Sequence, residues 1–99
     1  MPYDPNMTFY KHRQWVIPER MMSAIHRYVQ KGIKPGDFLY NAMCNRFCEA
    51  VFYADYENLQ NLPAYPYFFE NWLPVGCWGS VENVRRWILK GGLEGRGND

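Results

Sequence analysis

Three segments of this 99-residue chain carry apolar side chains at helical spacing, and each has glycine or proline at one end or both. In the first, Met21, Ile25, Tyr28 and Val29 recur on one face with Met22 alongside. Pro18 fits a first helical turn, Glu19 favours a helix start, and Gly32 offers a left-handed stop, so a helix is predicted over 18–31. In the second, Leu39, Met43, Phe47, Ala50, Val51 and Ala54 form a stripe that Phe38, Ala42 and Cys44 widen. One central helix is predicted from about Phe38 to Tyr53, with Asp37 as its N-cap. The third follows Ser80, where Val81, Val84 and Ile88 repeat beside Trp87 and Gly91-Gly92 terminate the pattern.

Prolines organise the stretch between. Asp55 can cap a short turn over 56–61, and Pro63 fits the first turn of a helix running to about Trp72. Before Pro18, Thr8–Tyr10 and Trp15–Ile17 are β-prone and suit a short strand or an extended arm. The expected fold is mainly α: a compact bundle of about four short helices over 18–90, an extended N-terminal arm over 1–17 and a flexible glycine-rich tail over 91–99.

Composition narrows the function. Phe, Tyr and Trp make up 18% of the chain, more large rings than a domain this small buries completely, so some are expected in a groove or a homo-oligomer interface. The net charge of +1 argues against bulk electrostatic binding of nucleic acid or membrane. It conceals segregation: residues 1–34 balance to +4, residues 35–84 to −5 and the remainder to +2. The N-terminus has no apolar core of a signal peptide, and no run approaches the ~18 apolar residues that span a bilayer. With three cysteines, an odd number, the expected setting is a reducing cytoplasm.

Chemistry-bearing patterns point to binding rather than catalysis. His12 and His26 are the only histidines, no nucleophile-elbow pattern occurs, and Cys44, Cys48 and Cys77 lack the paired short spacings of a zinc module. No enzyme activity, metal or cofactor is expected. Two turns stand out. GCWGS places Trp78, Gly79 and Ser80 directly before the last helix, where Ser80 can cap the amides of Glu82 or Asn83. This is either a capping turn with Trp78 as its plug, or an anion site with an indole platform. KPGDF repeats the arrangement with Gly36, Asp37 and Phe38. If the two helix starts converge, their amides would meet a phosphate-bearing ligand with Arg27 or Arg46 nearby, and a base would stack on Trp78 or Tyr28.

The order IPERMMSAIHRYVQKGIKPGDFLYNAMCNRF, then ADYENLQNLP, then PVGCWGSVENVRRWI resembles a family of small proteins encoded by bacteriophages and prophages, over residues 17–89. The resemblance implies an accessory gene and transfers no catalytic residue. The chain departs from that pattern at Pro63 and Pro66, with extra tyrosines between, and in its longer aromatic arm. Together these readings lead to a counter-defence protein that sequesters a small anionic ligand such as a nucleotide signal. The alternative is a protein–protein inhibitor of a host defence complex or enzyme, in contact through the arm and the tyrosines around Pro63 to Tyr67. A DNA-binding regulator is disfavoured by the acidic middle segment.

Overall fold

A computed structural model describes residues 3–95. The first two residues of the predicted arm, and residues 96–99 of the predicted tail, lie outside the described residues. The chain is mainly helical, with β1 (Tyr10–His12), β2 (Trp15–Ile17), α1 (Glu19–Lys31), α2 (Asp37–Met43), α3 (Phe47–Tyr53), α4 (Tyr56–Gln60), α5 (Ala64–Trp72), α6 (Val81–Lys90) and a 3-10 turn at Gly92–Glu94. Among the described residues there are thus six α-helices where about four were expected.

One of the two additional helices is α4, where a short turn over 56–61 was expected; the other arises at one residue. Asn45 adopts φ 61°, in the left-handed region, so the stripe that reads as a single helix from Phe38 to Tyr53 is cut in two. The amide of Arg46 donates to the carbonyl of Asn41 at 2.8 Å, and that of Asn45 to Ala42 at 3.0 Å. This pair of bonds is the Schellman ending, which satisfies carbonyls that a helix terminus would otherwise leave open. The start of α2 also differs: Gly36 is the cap residue, without a side-chain bond, and Asp37 is the first helical residue.

The residues before Pro18 do not extend away from the body. β1 and β2 pair antiparallel with Tyr10 opposite Ile17 and His12 opposite Trp15, and Arg13 takes the positive φ of 57° that the tight loop demands. The hairpin lies against α5. Tyr10 meets Phe68 edge-on at 5.0 Å, His12 stacks on Tyr67 at 3.8 Å, and the Val16 amide donates to Asn61 Oδ1 at 2.9 Å. Upstream, His26 Nε2 bonds the Met7 carbonyl at 2.6 Å while its Nδ1 faces the Tyr3 hydroxyl, which ties the first described residues to α1.

The core gathers Ile17, Met22, Ile25, Tyr28, Val29, Leu39, Met43, Tyr65, Phe68, Phe69 and Val84, all buried. Polar atoms inside it are paired, as the cost of burying an unsatisfied group requires. Tyr65 donates to Asn58 Oδ1 at 2.6 Å, and Trp87 Nε1 is shared between the carbonyls of Tyr28 and Val29 at 3.2 and 3.1 Å. The ends of α1 and α6 meet backbone to backbone. Gly32 and Gly91 both take left-handed C-cap angles, and a Cβ on Gly92 would stand 2.6 Å from the carbonyl carbon of Gln30.

Candidate functional site

The residues expected to form one anion pocket do not assemble. The amide of Gly79 donates to the carbonyl of Met43 at 2.7 Å, which docks the GCWGS turn on the last residue of α2. Asp37 stands six residues earlier in the same helix, about 9 Å along its axis. The two glycine-bearing starts therefore sit at opposite ends of α2, and none of the four best-formed hollows is lined by both.

Each predicted residue has a definite place instead. Tyr28 is wholly buried, its hydroxyl donating to the carbonyl of Cys77 at 2.5 Å, and burial, first of its causes, pushes its phenol pKa well up. It offers no face to a base. Phe38 is buried edge-on against Tyr65 at 5.1 Å. Gly36 and Asp37 line a hollow of about 380 Å³ with Ala24, Tyr53, Asp55 and Asn58. That lining holds two carboxylates and no cation, the wrong sign for a phosphate. Arg27 borders a separate hollow of about 320 Å³ on α1, where its Nη1 donates to Ser23 Oγ at 2.9 Å. Arg46 pairs at the surface with Glu49 at 3.4 Å.

Of the two readings of GCWGS, the capping one has direct geometry. Ser80 Oγ accepts from the Asn83 amide at 3.0 Å, and Asn83 Nδ2 returns a bond to the Trp78 carbonyl at 3.0 Å. Positive φ at Gly76 and Gly79 shapes the turn. Trp78 nevertheless is only half-buried. Phe69 holds its ring from one side at 5.3 Å, and its exposed part lines a groove of about 530 Å³ with Pro66, Tyr67, Glu70 and Asn71.

Two further features escape a reading of the sequence. Lys34, Tyr40 and Arg85 line an open hollow of about 240 Å³ with Ile88 and Leu89, and Lys34 Nζ stands 4.7 Å from the Tyr40 ring centroid. Burial raises the Tyr40 phenol, while Arg85 and Arg46 pull it the other way. The second feature is a ridge. Between Val51 and Leu59 five large apolar or aromatic side chains face water, Phe52 at 85% and Tyr56 at 76% exposure. Glu49, Asp55 and Glu57 flank them, and Arg20 holds Asp55 at 2.9 Å and Glu57 at 2.8 Å. The ridge follows from two short helices that bury little: α3 buries only Ala50 and α4 only Asn58.

Among the described residues, nucleophiles and metal ligands are not gathered into a cluster. Burial pushes the Cys77 thiol up to about 12 and raises Cys44 as well, which keeps both protonated and unreactive. No group of three or more His, Cys, Asp or Glu among the described residues is placed to hold a metal ion. No helix among them is long and apolar enough to cross a membrane. Comparison with protein-family models, with curated proteins and with solved structures finds no match to this chain.

Proposed function

We propose that the protein acts by binding another protein, and that the Val51–Leu59 ridge is its contact surface. The observation that carries this reading is the exposure of Phe52 and Tyr56, at 85% and 76%, on a scaffold whose other large rings are largely packed inside. Covering one such ring is worth roughly 1.5–3 kcal/mol, and aromatic side chains are the usual centres of protein interfaces. Glu49, Asp55 and Glu57 beside the rings are already paired with Arg46 and Arg20 of the same chain, so the rings themselves set the partner's chemistry: a protein presenting an apolar recess. With the motif resemblance to phage and prophage accessory proteins, the partner is a host protein and the role counter-defence by inhibition.

The test is a matched capture from bacterial lysate with the wild-type chain and a Phe52→Ser/Tyr56→Ser variant. Both positions are exposed, so the variant keeps its far-ultraviolet circular dichroism. The expected result is one host protein retained by the wild type and lost by the variant. Equal retention by both contradicts the reading. A wild-type chain that elutes as a dimer, with the variant a monomer, replaces the host protein by a second copy of the chain.

A second reading is favoured by the Lys34–Tyr40–Arg85 hollow, which joins two cations to a ring as a nucleotide-like ligand needs. Isothermal titration against a panel of cyclic and ADP-ribose-type nucleotides tests it. Absence of heat across the panel removes it.

A further inference from the structure

The groove beside Trp78 has a chemistry distinct from that of the ridge, and we propose that it receives an arginine side chain from a protein partner. Two rings and a carboxylate border it. Trp78 is held by Phe69 at 5.3 Å, and Tyr67 is fixed by His12, stacked on one of its faces at 3.8 Å. Neither ring can swing freely, so the groove is already formed before anything enters it. Tyr67, Glu70 and Asn71 lie at i, i+3 and i+4 on α5 and share a face of the helix. Glu70 has no salt bridge among the described residues, and Asn71 Nδ2 is turned onto the Tyr67 carbonyl at 2.8 Å, which leaves its Oδ1 to accept.

A planar cation answers all of these groups at once. Indole is the best ring face for a cation, and guanidinium stacks on it while its edge donates to a carboxylate and an amide oxygen. A volume of about 530 Å³ admits such a side chain with part of its flanking backbone. An anion would be repelled by Glu70, and a cation gains from that carboxylate what a purely apolar group does not. The occupant that answers the rings and the carboxylate together is a guanidinium, carried by a protein partner.

This goes beyond the ridge reading and is tested without any host partner, so its failure leaves that reading to the capture experiment. The probe is the tripeptide Gly-Arg-Gly, titrated while the indole N–H signals are followed by nuclear magnetic resonance, with the Trp78 signal identified from a Trp78→Phe spectrum. The expected result is a saturable shift of the Trp78 signal, with binding about tenfold weaker for the citrulline tripeptide and for Glu70→Gln. The three remaining indole signals report that the fold of Glu70→Gln is intact. No shift at Trp78, or equal binding of the citrulline peptide, overturns the proposal. Tetramethylammonium binding as well as the tripeptide does so too, since the groove would then be a small-cation site.

Discussion

Asn45 carries more of the architecture than its size suggests. At φ 61° a β-branched residue in its place faces a penalty of roughly 1–2 kcal/mol, whereas glycine adopts the angle freely. Asn45→Val is expected to lower stability by about that amount in urea unfolding, and Asn45→Gly to leave it nearly unchanged. The thiols give a second residue-scale check. Cys48 is exposed and Cys44 and Cys77 are buried, so a native chain should react with one equivalent of an aromatic disulfide reagent and with three once unfolded. Because the Cys77 thiol is raised from 9.0 to about 12, the fold keeps its margin below pH 9 and loses it as pH climbs toward 12. Asp55 works at the other end of the scale. The Asn58 amide first, and Arg20 after it, hold its carboxyl below 3.8, so its contribution is present above that value and fades as pH falls through the lowered one. Replacing it by Ala should flatten the acid limb of the pH–stability curve.

At the level of elements, capping chemistry was legible except at Asp37, which is the first residue of α2 and not its cap, and helix continuity was not. Asp55 and Ser80 accept from the amides three residues on, and Gly32 and Gly91 close their helices, all as the residue types suggest. Pro63 stands just before α5, whose first turn tolerates Pro66. The cut between α2 and α3 was hidden because the apolar stripe continues across it, and a lone asparagine signals a left-handed turn only weakly. Nor could local spacing show that the hairpin lies on α5, since that depends on Tyr10 meeting Phe68 far along the chain. Ser80→Ala should cost about 1 kcal/mol by thermal unfolding. Gly92→Ala should cost about 2 kcal/mol or more, because its Cβ would press on the backbone of α1 at a position that also needs φ +70°.

For the whole molecule, the arrangement of the candidate site was the least legible part. The distance between the two glycine-bearing helix starts is set by the bond from Gly79 to Met43, a contact between remote segments that no motif announces. The ring count foretold exposed aromatics without saying which. Tyr28, Tyr65, Phe68 and Phe69 fill the interior, and Phe52 and Tyr56 remain outside because α3 and α4 are too short to turn every ring inward. The claim that this exposed ridge is the working surface is tested most directly by hydrogen exchange on the chain with and without its captured partner. The account predicts slowed amide exchange confined to residues 47–60. Unchanged exchange across those residues, with protection appearing elsewhere, would contradict it.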